Sequence, residues 1–147
     1  MRTIFILFVG ILAISCSSNE PDAKPDLTDN FIGKWQTDVQ RSTDQVYFAT
    51  YEISKINEKL LSIVVNEHFE SLDGKFDNYV VSYPFDQVPL ISSDSFSFDS
   101  FREVGNGQIV RYRGTGSLKS TTLILDMLMK YDDQDFGMDM IIPLTKK

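Results

Sequence analysis

Residues 47–53 read Tyr47-Phe48-Ala49-Thr50-Tyr51-Glu52-Ile53, and each odd position carries an aromatic or aliphatic side chain. Successive side chains of a strand point to opposite faces, so this period of two predicts a strand with one face in a core. The same alternation recurs over residues 31–39, 61–69, 79–85, 95–98, 110–116, 123–131 and 138–144. No segment after the first fifteen residues sustains a helical period. The sequence therefore predicts an all-β protein of about eight strands.

Short turn sequences separate these runs. Asp73-Gly74 and Gly105-Asn106-Gly107 supply residues that tolerate a positive φ, as tight hairpins require. Nearly every connection is short enough for a hairpin, which favours an antiparallel meander whose edges must be paired or covered. We expect a lipocalin-like, up-and-down β-barrel of about eight strands over residues 30–147. A β-sandwich is the alternative, although sandwiches usually need Greek-key crossings.

Residues 1–15 have the pattern of a secretory signal peptide. Arg2 gives a cationic start, and residues 4–14 form an apolar run that is too short to span a bilayer. The run ends in Leu12-Ala13-Ile14-Ser15-Cys16, which resembles the bacterial lipobox, whose cysteine is acylated. Cys16 is the single cysteine, so the alternative, a plain signal peptide, would leave an exported thiol without a partner. We expect acyl chains on Cys16 to anchor the protein to a membrane.

Residues 16–29 are expected to form a flexible tether between the lipid and the barrel, since they are polar, contain Pro21 and Pro25 and lack an apolar period. The chain carries 14 Lys and Arg against 21 Asp and Glu, a formal net charge of −7. This charge disfavours nucleic acid and anionic membrane surfaces as direct partners. Ser17 follows the cysteine, and by analogy with bacterial lipoproteins this favours the outer membrane of the cell envelope.

Phe31-Ile32-Gly33-Lys34-Trp35 opens the first predicted strand. It resembles the G-x-W motif at the first strand of lipocalins and related calycin barrels. The layout of the whole chain is similar to that of lipocalin-like lipoproteins of Bacteroidetes. This resemblance implies that Trp35 plugs the closed end of the barrel and that Gly33 permits close packing there. Both residues share one face of the predicted strand, as those roles require.

Tyrosines and methionines on the predicted inward faces are the candidates for binding a ligand. Tyrosine offers an apolar wall together with a hydroxyl group, and methionine offers an adaptable apolar surface. The candidate ligand-binding residues are Tyr47, Tyr51, Tyr83, Tyr112, Met127 and Met129. The alternative is that these side chains only fill the core, as in many small barrels.

The sequence gives no support for catalysis, for a metal site or for a cofactor. His68 is the only histidine, and its position opposite Ile63 and Val65 indicates that it faces solvent. Acidic residues cluster at Asp132 and Asp133, but the segment lacks the central glycine and final glutamate of a calcium loop. We expect a solvated hairpin turn there, and a protein that is not an enzyme.

Two functions are consistent with these patterns. The first is a lipid-anchored envelope protein whose barrel binds a small hydrophobic or amphipathic ligand. The second is an envelope interaction module with a filled barrel, which binds a protein partner through an outer surface or an edge strand. The interior of the folded domain distinguishes the two functions, because a cavity supports ligand binding and a packed core supports the interaction module.

Overall fold

The computed structural model describes residues 26–147, so the predicted signal peptide and Cys16 lie outside the described residues. A short 3-10 helix, Leu27–Asn30, precedes nine strands. These are β1 (Gly33–Gln36), β2 (Gln40–Arg41), β3 (Gln45–Asn57), β4 (Leu60–Ser71), β5 (Tyr79–Ser92), β6 (Ser95–Val104), β7 (Gln108–Lys119), β8 (Thr122–Tyr131) and β9 (Met138–Lys146). Within residues 26–147, no helix has the length and apolar character needed to cross a membrane.

Eight of these strands close an antiparallel barrel. Each strand from β3 to β8 pairs with the next one in the chain, and β1 completes the ring by pairing with both β3 and β9. The two-residue β2 is an extra strand laid against β3. The prediction of an up-and-down barrel is therefore confirmed, and the sandwich is not the fold that forms.

The two ends of the barrel are named here by their turns. The floor half holds the turns at residues 58–59, 93–94 and 120–121, and the rim half holds those at residues 72–78, 105–107 and 132–137. Closure is confined to the floor half, where β1 meets β9 at two positions, Trp35 with Lys146 and Gln36 with Thr145. After Gln36 the chain separates from β9, and its next strand, β2, pairs with β3. A seam therefore separates β2 from β9 in the rim half.

The first predicted strand, residues 31–39, is wrong in its extent. Phe31 follows the 3-10 helix, β1 covers only Gly33–Gln36, and Val39 is 52% exposed. Gly33 explains the late start, because its φ of +128° is a conformation that other residues rarely adopt and that turns the chain into β1.

The folded domain begins earlier than the predicted boundary at residue 30. The 3-10 helix Leu27–Asn30 includes residues 27–29, which the sequence placed in the tether. The Asp26 carboxylate caps that helix by accepting hydrogen bonds from the backbone N–H and the hydroxyl of Thr28. Asp26 also pairs with Lys55 of β3. These contacts attach the start of the described chain to the barrel wall.

Apolar and aromatic side chains fill the floor half and the middle of the barrel. Aromatic rings run through it in contact, with 5.2 Å between the centroids of Phe31 and Phe96 and 5.0 Å between those of Phe85 and Phe98. Gly116 makes room for this packing, because a Cβ atom there would lie 2.1 Å from the Phe96 ring. The largest fully buried side chains are Trp35, Phe31, Phe85, Phe96, Leu61, Ile63, Leu123, Leu125, Leu144, Val65, Val88 and Val110.

Candidate ligand-binding site

A cavity of about 440 Å³ opens at the seam. It is lined by Thr37, Asp38 and Gln40 beside β1 and β2, by Tyr47 and Tyr51 of β3, and by residues 140–143 of β9. Its volume falls within the range of roughly 300–1,000 Å³ that is usual for small-molecule sites. The cavity exists because β1 leaves β9 after Gln36, so that no strand covers the inner wall at this point.

The four predicted tyrosines all point into the barrel, but they do not all reach the cavity. Tyr47 and Tyr51 line it. Tyr83 and Tyr112 are buried in the core and do not line the cavity, and their rings stack with 5.4 Å between centroids and 16° between planes. Sequence periodicity therefore found the correct face for each tyrosine, whereas the division between cavity wall and interior depends on the barrel as a whole.

The two predicted methionines lie beside the cavity and do not line it. Met127 is buried, and Met129 is partly buried against the core. Met140 of β9, the strand partner of Met127, takes the lining position. Methionine thus contributes to the site from β9, on the far side of the seam from the tyrosines.

Two charged residues that the sequence analysis did not single out lie among the tyrosines. Nη2 of Arg102 lies 3.5 Å from Oε2 of Glu67, and the Tyr83 hydroxyl donates a hydrogen bond to Oε1 of Glu67 at 3.1 Å. The guanidinium carbon of Arg102 lies 4.1 Å from the centroid of the Tyr83 ring. Glu67 has the strand parity of Val65, and Arg102 has that of Phe98. Periodicity alone could therefore have placed both charges inside the barrel.

Burial and the charge of Glu67 both act on the tyrosine hydroxyls. Desolvation raises the pKa of Tyr47 to about 12, and the negative charge of Glu67 is the next cause. Desolvation likewise raises the pKa of Tyr51, of Tyr83 and of Tyr112, and Glu67 adds to each increase. All four hydroxyls therefore stay protonated at neutral pH and can act as hydrogen-bond donors, and that of Tyr83 already donates to Glu67.

Arg102 has donor capacity that the described residues do not use. Its Nε atom is buried and has no hydrogen-bond partner among them. A guanidinium carries five N–H donors, and leaving a buried donor unsatisfied is unfavourable by about 1–3 kcal/mol. The Arg102 and Glu67 side chains are 21% and 19% exposed, and an ion pair in such a half-buried position contributes little to stability.

Trp35 closes the floor of the barrel. It is 1% exposed, and its indole N–H donates to the carbonyl oxygen of Phe31 at 2.7 Å. Lys146, which the sequence analysis did not single out, places its Nζ 5.3 Å from the Trp35 ring. Gly33 lets this lysine approach, because a Cβ atom on Gly33 would lie 3.0 Å from Cε of Lys146. Gly33 and Trp35 therefore lie together at the floor end of the barrel, in contact with Lys146.

The remaining candidates lie outside the cavity. His68 is on the outer face as predicted, but it is half-buried and stacks on Phe48 with 4.4 Å between ring centroids, so the expectation of a solvent-facing side chain was wrong. Asp133 lies in the turn between β8 and β9, where it accepts a hydrogen bond from the Gln108 side chain. Among residues 26–147, no three His, Cys, Asp or Glu side chains are grouped to hold a metal ion.

No protein-family model matches this chain, and no curated protein matches it either. Among solved structures, EF1p2_mFAP2b bound to DFHBI has a TM-score of 0.54 and 15% identity, covering 83% of this chain and 98% of that chain. A de novo designed fluorescence-activating β-barrel has a TM-score of 0.48 and 18% identity, over 84% of this chain and 99% of that one. A Bacteroides fragilis protein provisionally described as an outer membrane protein has a TM-score of 0.48 and 9% identity, over 83% of this chain and 53% of that one. The first likeness agrees with the strand order described above, an eight-stranded antiparallel barrel that fits a lipocalin-like fold.

Proposed function

We propose that this chain is a lipid-anchored protein of the bacterial cell envelope whose barrel binds one small hydrophobic or amphipathic ligand and catalyses no reaction. The observation that carries the proposal is the cavity at the seam, which combines the rings of Tyr47 and Tyr51 with the aliphatic wall of β9. An apolar wall with a few polar groups is the usual composition of a small-molecule site. The structure of EF1p2_mFAP2b bound to DFHBI supports the idea that a barrel of this shape can hold a small molecule.

The lipid anchor is proposed from the sequence around Cys16. Asp26, the first described residue, follows Cys16 by 10 positions in the sequence. An extended chain spans at most about 3.6 Å per residue, so acyl chains on Cys16 would keep Asp26 within about 36 Å of the bilayer. Two or three acyl chains give stable anchoring where one does not. We place the protein on the outer membrane by analogy with bacterial lipoproteins.

An envelope interaction module is the second candidate function. Phe101 of β6 is 67% exposed on the outer face, and Ile109 of β7 is exposed beside it. Exposed apolar patches of this kind are typical of protein contacts. The cavity at the seam favours the ligand-binding function, because a purely structural barrel gains nothing from an interior that is not filled.

A cavity-filling variant tests the ligand site. Ile142→Trp places a large ring in the cavity, whereas Val80→Trp places the same ring on the outer face of β5. We expect the wild-type chain to bind the neutral apolar fluorophore N-phenyl-1-naphthylamine saturably. Ile142→Trp should weaken binding at least tenfold, and Val80→Trp should leave it unchanged. Fluorescence titration measures both.

The same titration separates the lipid anchor from the ligand site. Cys16→Ser should move the chain from the membrane fraction to the soluble fraction of the cell and leave the affinity for the fluorophore unchanged. Absence of saturable binding to the wild-type chain, or equal binding by both tryptophan variants, would exclude the cavity as the site. A Cys16→Ser chain that stays with the membrane would exclude the anchor.

A further inference from the structure

We propose that Glu67 and Arg102 make the barrel select amphiphiles that carry a neutral hydrogen-bond acceptor, such as an amide or ester carbonyl, over amphiphiles that carry a free carboxylate. This inference rests on the ligand site proposed above and names the class of ligand that the site takes. It follows from the hydrogen-bond donors and the charges that face the interior behind the cavity.

Arg102 brings hydrogen-bond donors, not all of them used by the described residues, to this part of the barrel. The guanidinium of Arg102 offers five N–H donors, and its buried Nε has no partner among residues 26–147. Tyr47 and Tyr51, which carry further hydroxyl donors, line the cavity itself. The carboxylate of Glu67 is already contacted by Tyr83 and Arg102. A ligand group that accepts hydrogen bonds would complete the arrangement.

The charged side chains in this part of the barrel carry a net negative charge. Glu67 and Arg102 form one pair of opposite sign, and Asp38 at the mouth of the cavity adds a further negative charge. A ligand carboxylate would have to share the guanidinium with Glu67 or displace it, and either leaves a negative charge poorly paired in the interior. A neutral carbonyl needs only a free N–H or hydroxyl donor, so it binds without breaking the pair.

Glu67 is therefore the residue expected to set the discrimination. With a glutamine in its place, the pair would no longer be neutral, and the guanidinium would be free to receive a carboxylate. Glu70 supplies the matched control, because it lies on the same strand with an exposed side chain directed to the outer face. Glu67→Gln and Glu70→Gln change the net charge of the protein by the same amount.

The test uses decanamide and decanoate at pH 8, which have the same number of heavy atoms and differ in the charge of the head group. The full chain carrying Cys16→Ser is used without detergent, and each compound displaces N-phenyl-1-naphthylamine. We expect this chain to bind decanamide at least tenfold more tightly than decanoate. Glu67→Gln should reduce that ratio at least tenfold, chiefly by strengthening decanoate binding, and Glu70→Gln should leave it unchanged.

Comparison with Glu70→Gln removes the intrinsic difference in hydrophobicity between the two compounds. Equal ratios in the two variants would overturn the role of Glu67. If Glu67→Gln does not fold, as judged by near-UV circular dichroism, the parent chain still decides the matter, since a preference for decanamide below threefold overturns the proposal. Failure of both compounds and of the fluorophore to bind would instead overturn the proposed ligand site.

Discussion

The floor half and the rim half of this barrel share the same strands, but their interiors differ. In the floor half, Trp35, Phe96 and Leu144 are almost completely buried, and β1 bridges β3 and β9. In the rim half, the interior holds the pair of Glu67 and Arg102, and the ring is open at the seam. The half in which the ring of strands is closed is filled with apolar side chains, and the half in which the ring is open holds polar groups. The comparison indicates that the floor supplies most of the stability, while the rim contributes less and leaves a cavity open at the seam.

Removal of the floor plug should produce the largest difference between the halves. Trp35→Ala should lower the free energy of unfolding by about 3–5 kcal/mol, because it leaves a cavity in the best-packed region and removes the bond to Phe31. Tyr79→Ala, at a rim side chain that is 50% exposed, should lower it by about 1 kcal/mol or less. Urea unfolding measures both, and similar losses would show that the two halves contribute equally.

An intermediate effect is expected at the glycine that starts β1. Gly33→Ala should lower the free energy of unfolding by about 1–3 kcal/mol, because alanine is strained at a φ of +128° and its Cβ would crowd Lys146. Gly74→Ala tests a rim turn at a φ of +73° with no atom within 4 Å of the added Cβ, and a loss of about 1 kcal/mol is expected. Thermal unfolding of both variants compares them. A Gly74 variant as unstable as the Gly33 variant would show that crowding at Lys146 has no effect.

The smallest expected effect is the response of the rim tyrosines to alkaline pH. Folding raises the pKa of Tyr47 from 10 to about 12, so the stability linked to its proton is fully present below pH 10 and is lost as the pH rises towards 12. The free energy of unfolding should therefore fall less with rising pH in Tyr47→Phe than in the wild-type chain. The difference should be about 1 kcal/mol or less, since partial exposure of the Tyr47 side chain weakens the effect. Urea unfolding at pH 9 and pH 11 measures it. Tyr79→Phe serves as the control, and equal behaviour of the two variants would contradict the prediction.

Local sequence was sufficient to predict the face of most residues in this barrel. A period of two placed Tyr47 and Tyr51 inside, and the G-x-W motif located Trp35 at the floor. The same parity applies to Glu67 and Arg102, but their charge obscured it, because charged residues are rarely found inside without a partner. The partner of each is 35 residues away in the chain, so only the assembled sheet reveals the pair.

Other features depend on how the ring closes and could not be predicted from local patterns. Lys146 reaches Trp35 because β1 and β9 meet in one particular register. The seam exists because β1 ends at Gln36 and its continuation follows β3, a choice between two neighbours that strand periodicity does not determine. Gln87 is a further example, since its φ of 54° interrupts the alternation of β5 without a glycine to signal it.

The free edge of β9 carries its own protection against aggregation. The N–H of Lys147 donates to the carbonyl oxygen of Lys34, so it points towards β1. Backbone groups alternate in direction along a strand, so those of Pro143 and Ile141 point to the same side of β9, which faces the seam. Pro143 has no N–H to offer there, and the neighbouring Asp139 brings a charge to the same edge. Two molecules of this chain would therefore lack a complete ladder of hydrogen bonds for joining edge to edge. The opening at the seam is thus poorly suited to self-association.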